Sequence, residues 1–150
     1  MKIEIARIDD AEDILSLQKL AYLSEAEIYG DFRISPLVQT LDEMKDNFSS
    51  HVFLKATVDE RIIGSVRAFE EDGTCYVGRL IVHPDFQNRG IGTKLLEEIE
   101  TLFTACGRFE LFTGHRSEKN IHIYEKLGYK AFKAEKATDN LNLVFYEKVK

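Results

Sequence analysis

Three apolar runs joined by two tight turns constrain this chain more than any other feature. His51–Val58 and Arg61–Phe69 flank Asp59-Glu60, and Thr74–Val82 follows Asp72-Gly73. The runs are short and rich in β-branched and aromatic residues, which suits half-buried strands. Asp-Gly favours the positive φ angles that a two-residue hairpin needs. Alternation along the middle run sets Ile63, Ser65, Arg67 and Phe69 on one face and Ile62, Gly64, Val66 and Ala68 on the other. The segment reads as an antiparallel meander of three strands.

The flanking sequence mixes both periodicities. Lys2–Arg7 alternates as a strand. Asp9 or Asp10 offers an N-cap for a helix carrying Ile14, Leu15, Leu17 and Leu20. Ser24–Ser35 is polar and mixed, with Gly30 ahead of Pro36, and reads as a loop or an interrupted helix. Leu37–Phe48 fits a second short helix. Beyond the meander, Gly90–Ala105 places Ile91, Leu95, Ile99, Leu102 and Phe103 on one helical stripe, ended by Cys106-Gly107. Phe109–Thr113 reads as a short buried strand, Ser117–Lys126 as a helix closed by Gly128, and Leu141–Glu147 as a last strand. No linker or repeat interrupts residues 1–150. The expectation is a single α/β (α+β) domain with a central, mostly antiparallel sheet flanked by helices.

Charge narrows the partners. The chain carries a formal charge of −6 and no basic stripe, which disfavours nucleic acid. Residues 1–60 hold 6 Lys and Arg against 13 Asp and Glu, and the remainder holds 14 against 13. The front part suits a cationic ligand and the rear tolerates an anionic one, although surface carboxylates also serve solubility alone. No apolar run nears the ~18 residues of a membrane span, and the N-terminus lacks the apolar stretch of a signal peptide. A cytoplasmic location away from membranes is therefore expected. Cys75 and Cys106 lie in no C-x-x-C or Cys/His ligand pattern. They read as ordinary half-buried thiols, with no metal implied.

The chemistry concentrates in Arg79–Lys94, where a strand ends, a turn follows and a helix opens on Gln87-Asn88-Arg89-Gly90-Ile91-Gly92. Glycine lets backbone N–H groups approach a ligand closely, and a helix N-terminus adds unpaired donors with partial positive charge. Such a segment suits a pyrophosphate, with Arg89 and Lys94 adding charge. It is neither a Rossmann fingerprint, lacking a third glycine, nor a Walker A loop, because Gly92-Thr93-Lys94 has the wrong order. Taken alone it also fits a plain turn into a helix.

Three blocks in order resemble the GNAT family of N-acetyltransferases: Ile5–Ile14, then Gln87-x-x-Gly90-x-Gly92 after Leu80-Ile81-Val82, then Ile121–Tyr129. The resemblance implies the acyl-CoA N-acyltransferase fold, with acetyl-CoA as co-substrate. By that likeness Leu80, Ile81 and Val82 face the pantetheine arm. Gln87, Asn88, Arg89, Gly90, Ile91, Gly92 and Thr93 cradle the pyrophosphate. Tyr124 meets the sulfur and protonates the leaving thiolate. The family's asparagine position is Ser117 here and its alanine position is Asn120, so either side chain can reach the pantetheine amides. A homodimer is compatible with the family.

The residues agree with direct attack by an amine on the thioester, because no Gly-x-Ser-x-Gly or Cys/His nucleophile signature is present. Glu25, Glu27, Glu70 and His115 are candidate bases, and His83 reads as a turn residue. By the resemblance, Tyr22, Glu25, Glu27, Tyr29, Asp31 and Phe32 fall in the segment that shapes the acceptor pocket. Aromatics among carboxylates suit a small cationic amine, whereas Arg67 and Arg79 suit an acceptor carboxylate. The expected function is acetyl transfer to a small-molecule amine. Transfer to a protein N-terminus or lysine, and CoA binding without turnover, stay open.

Overall fold

Both turns of the meander carry the backbone that their sequence predicts. Asp59 and Glu60 have φ of 51° and 66°, and Asp72 and Gly73 have φ of 51° and 80°. These left-handed pairs match the twist of the strands they join. The computed structural model describes residues 1–150 and places every strand in one seven-stranded sheet of order β1-β2-β3-β4-β5-β7-β6. The strands are β1 (Lys2–Ile5), β2 (Val52–Val58), β3 (Arg61–Glu71), β4 (Thr74–Val82), β5 (Arg108–Gly114), β6 (Lys130–Thr138) and β7 (Leu141–Val149). The helices are α1 (Ala11–Tyr29), α2 (Ser35–Val38), α3 (Leu41–Asn47), α4 (Ile91–Thr101) and α5 (Glu118–Lys126). All neighbouring strands are antiparallel except β4 and β5.

Helices cover both faces because successive side chains of the central strands point opposite ways. Phe53 packs with Ile14 and Leu15 of α1 and Met44 of α3. Its neighbour Leu54 joins Leu95, Leu96 and Ile99 of α4 and Tyr124 of α5 on the other side. The three α4 residues are fully buried, each contributing about 1.5–3 kcal/mol.

Two irregularities shape the middle of the sheet. β4 and β5 share only three rungs, ending at Tyr76 opposite Glu110. Beyond that rung the β4 edge has no strand alongside, and a cleft opens. Within β4, Arg67 and Ser65 of β3 pair with Gly78 and Ile81, so β4 holds an extra residue there. Arg79 sits in this bulge at φ 48°, a conformation that disfavours any residue with a Cβ.

Several elements differ from the sequence reading. Ser24–Ser35 is not a loop through its first half, since α1 runs on to Tyr29 and ends at Gly30 in the left-handed conformation. The single helix expected over Leu37–Phe48 is two short ones, and the Thr40 hydroxyl, accepting from the Glu43 N–H, starts the second. Asp10 does not cap α1 through its side chain. Its carboxylate accepts from the Arg7 N–H and from Lys55 Nζ, both at 2.9 Å. α4 stops at Thr101, short of Ala105. Strand β6 was not anticipated: all nine of its residues are exposed, so it carries no burial period. Cys75 and Cys106 are buried outright rather than half-buried. No helix is long and apolar enough to cross a membrane.

Candidate active site

The cleft between β4 and β5 widens into a cavity of about 700 Å³, with Tyr124 of α5 among its walls. Tyr124 is 4% exposed, and its hydroxyl makes no hydrogen bond to the protein. Burial, with Tyr22 and Glu25 nearby, pushes its pKa above the ordinary tyrosine value. Burial thus favours the protonated phenol.

Beside it runs a chain of hydrogen bonds from α1 to the start of α5. The Arg116 N–H donates to Tyr29 Oη at 2.9 Å. Tyr29 Oη lies 2.8 Å from Ser117 Oγ, and Ser117 Oγ donates to Glu25 Oε2 at 2.6 Å. With each donor used once, the Tyr29 hydroxyl donates to Ser117 and the order ends on the Glu25 carboxylate. Gly114 makes this possible, since a Cβ there would lie 2.1 Å from Tyr29 Oη. Of the four candidate bases, only Glu25 lines the cavity. Glu27 is exposed. Glu70 lies opposite Cys75 near the hairpin end of β3. His115 is exposed and its Nδ1 accepts from the Asn142 N–H at 3.0 Å.

The acceptor segment divides in the same way. Tyr22, Tyr29 and Asp31 reach the cavity with Glu25, whereas Phe32 is 56% exposed and lies away from it. Arg67 and Arg79 both line the cavity. Ser117 and Asn120 also lie on its wall, but their hydrogen bonding differs. Ser117 is engaged by Tyr29 and Glu25. Asn120 donates to Thr113 Oγ1 at 3.3 Å and keeps its carbonyl oxygen free.

Of the three apolar strand residues, Leu80 lines the cavity while Ile81 and Val82 do not. Val82 instead offers its carbonyl to Gln87 Nε2 at 3.2 Å, and Lys119 Nζ donates to Gln87 Oε1 at 3.1 Å. These contacts hold the loop before α4. Asn88 and Gly90 are left-handed, at φ 64° and 80°, and Arg89 lies over the Phe86 ring at 5.2 Å. The Ile91 side chain joins the core, so only its backbone is available to a ligand. From Gln87 to Thr93 no backbone N–H finds an acceptor in the protein, and the first bond of α4 is Lys94 N–H to the Gly90 carbonyl. A run of free donors at a helix start fits a pyrophosphate. His83 caps the turn Pro84–Phe86 by accepting the Asp85 N–H, the role its sequence position predicts.

The sequence reading missed His51, Phe69 and Tyr76, which also line the cavity. Phe69 and Tyr76 stack at 5.1 Å because they are paired across the Asp72-Gly73 hairpin. Counting back from that turn would have found them. His51, set against Phe69 at 4.8 Å, had no local signal. Burial and the Arg67 charge lower its pKa.

The comparisons agree with this geometry. The model of the Acetyltransferase (GNAT) family matches residues 12–129. An acetyltransferase of Pectobacterium atrosepticum is 32% identical over 86% of this chain and 87% of its own. The PaiA N-acetyltransferase of Thermoplasma acidophilum, solved in complex with coenzyme A, superposes with a TM-score of 0.82 over the whole of both chains at 21% identity. The ribosomal-protein-S18-alanine N-acetyltransferase of Escherichia coli gives 0.81 over 99% of this chain and 92% of that one, at 15% identity. At those identities the two structures speak for the acyl-CoA N-acyltransferase fold and leave the acceptor open. On the match over residues 12–129, the chain belongs to the GNAT family of acetyltransferases.

Proposed function

We propose that this acetyltransferase moves the acetyl group of acetyl-CoA to the primary amine of a small molecule, with Tyr124 as the acid that serves the departing thiolate. The observation that carries the reading is the Tyr124 hydroxyl, buried at the cavity wall without a protein partner and held in its protonated form. The free N–H groups of Gln87–Thr93 suit the pyrophosphate. Leu80 and the carbonyl of Asn120 suit the pantetheine arm. The open β4 edge beyond Tyr76 offers backbone groups to an extended ligand, as a sheet edge does.

The reaction joins the amine nitrogen to the thioester carbonyl and breaks the carbon–sulfur bond, so one proton must leave the nitrogen and one must reach the sulfur. A primary amine has a pKa near ~10, and freeing its lone pair at neutral pH costs about 4 kcal/mol. Glu25 faces the cavity with its carboxylate oriented by Ser117, well placed to receive the ammonium group and carry its proton away. Arg67 and Arg79 in the same cavity favour the neutral amine. Tyr124 gives its proton to the thiolate and is reprotonated from solvent.

The test is thiol release from acetyl-CoA with a panel of amines, wild type beside Tyr124→Phe. We expect kcat to fall about 10²-fold in the variant, with acetyl-CoA affinity retained. An unaltered kcat removes the acid role. Gly90→Ala, which forces an L side chain to φ 80°, is expected to weaken acetyl-CoA binding. If wild-type protein does not bind acetyl-CoA, the reading falls entirely.

A further inference from the structure

Two arginines share the cavity without an anion to answer them. Arg67 and Arg79 take part in no ion pair anywhere in the chain. Their partners are neutral. Arg67 Nη1 donates to Asn47 Oδ1 at 2.7 Å. Arg79 donates to Gln39 Oε1 and, at 3.0 Å, to Ser35 Oγ. The two amides belong to one network, since Gln39 Nε2 donates to Asn47 Oδ1 at 2.7 Å and Gln18 Nε2 donates to Gln39 Oε1 at 2.9 Å. The Gln39 and Asn47 side-chain oxygens that accept from the two guanidiniums are each held by a neighbouring amide N–H as well, from Gln18 and Gln39 respectively. The network fixes the two cations in place and leaves their charge uncancelled. Burial and the neighbouring Arg79 depress the pKa of Arg67 to about 10, a measure of how poorly the site tolerates two positive charges without a counterion.

The backbone is bent to make this pair. Arg67 lies opposite Gly78, so in a regular strand Arg79 would point to the other face of the sheet. The bulge, with Arg79 at φ 48°, turns it back to the side of Arg67, where both reach the same Gln39–Asn47 amides. Left-handed backbone is unfavourable at a residue with a Cβ, and sheet bulges commonly re-aim a side chain. The guanidinium donors left without a protein partner are accessible rather than sealed in the core, and both side chains lie on the cavity wall. The carboxylates on the cavity wall are committed elsewhere. Glu25 accepts from Ser117, Asp31 from the Arg33 N–H, and Glu110 from Arg108 at 2.8 Å. Glu43, outside the cavity, touches Arg79 only through its field.

We infer that the acceptor is a small primary amine bearing its own carboxylate, which Arg67 and Arg79 hold while the amine lies toward Glu25 and Tyr124. Tyr22 lines the same cavity as both arginines and Glu25. The acceptor is thus an amino acid rather than a simple amine or polyamine. This rests on the acetyl-transfer reading above.

The test pairs each of several amino acids with the amine left by its decarboxylation, using thiol release from acetyl-CoA. Phosphoethanolamine serves as an amine with a different oxyanion. We expect kcat/KM for at least one amino acid to exceed that of its decarboxylated partner about tenfold or more, the worth of charge-assisted hydrogen bonds. Arg67→Gln with Arg79→Gln should bring that ratio toward one, mainly through KM, while Arg67→Lys retains part of it. Acetyl-CoA binding by each variant reports that it is folded. Amines acetylated as well as their amino acids, or phosphoethanolamine preferred to every amino acid, would sink this inference and spare the acetyl-transfer reading. No thiol release with any acceptor, although acetyl-CoA binds, would sink both.

Discussion

The Ser117 hydroxyl donates to Glu25 Oε2 at 2.6 Å, joining residues 92 positions apart in the chain. Ser117 occupies the N-cap of α5, yet its side chain caps nothing there. Its oxygen is used across the cleft, for Glu25 and Tyr29, so the bond ties α1 to the start of α5, the helix that also carries Tyr124 to the cavity wall.

Ser117→Ala tests what that tie is for. Removing the hydroxyl leaves Tyr29 Oη without its acceptor and Glu25 without its donor. A stability loss of about 1–2 kcal/mol is expected from the lost bonds, read by chemical denaturation. If Glu25 must be oriented to take the amine's proton, kcat should fall by about tenfold or more, with acetyl-CoA affinity retained. Ser117→Thr, which keeps a hydroxyl, should restore part of the rate. Loss of stability with an unaltered kcat would make the tie purely structural.

Gly114→Ala attacks the same arrangement from the strand side. The new Cβ would lie 2.1 Å from Tyr29 Oη and 2.5 Å from Tyr29 Cζ, so the ring has to move. Overpacking of this kind costs about 1–3 kcal/mol. The expected result is a lower Tm and a disturbed Tyr29–Ser117–Glu25 chain, with a fall in kcat similar to that of Ser117→Ala. A Tm within a degree of wild type would mean that Tyr29 is more mobile than its hydrogen bonds suggest.

What could be read from the sequence follows what is local. The Asp72-Gly73 turn fixes Thr74–Val82 as a strand with the bounds observed, and Gly90 marks the start of α4 because few other residues accept its φ. The second half of α1 was missed because Tyr22, Glu25 and Tyr29 line a cavity rather than a greasy core, and the carboxylate among them breaks the apolar stripe. β6 was missed because an edge strand with every residue exposed has nothing to alternate; its pairing with β7 makes it a strand. In the site, the glycine loop and Tyr124 lie in contiguous motifs. Separating Glu25 from the other three candidate bases required knowing which of them lines the cavity, and pairing Arg67 with Arg79 required a bulge that no turn residue announces.

The buried thiols predict an alkaline limit to stability. Burial raises the pKa of Cys75 from 9.0 to about 12, and that of Cys106 also rises by burial. Below pH 9 the thiols are protonated in both folded and unfolded chains, and the contribution is complete. Above it the unfolded chain ionises first, so stability declines as pH rises toward the folded value, by up to about 1.4 kcal/mol per pH unit for Cys75. Denaturation midpoints measured from pH 8 to 10.5 should fall, and Cys75→Ala should flatten the slope even though the cavity it leaves lowers the absolute value. A slope identical in wild type and variant would place the alkaline sensitivity in the buried tyrosines instead.

Arg67 should be a residue that function keeps at a cost to stability. Its guanidinium is desolvated, lies beside Arg79, and has only an amide oxygen for a partner. Removing it leaves Asn47 Oδ1 still satisfied by Gln39 Nε2, so no buried acceptor is orphaned. The stem lies near Phe53, with the guanidinium 5.6 Å from the ring, and Arg67→Met preserves that apolar contact. Relief of like-charge repulsion and desolvation, discounted for the side chain's partial exposure, is of order 1 kcal/mol. Arg67→Met is therefore expected to raise Tm by a few degrees while impairing turnover of a carboxylate-bearing acceptor. A lower Tm would mean that the amide network depends on the guanidinium it holds.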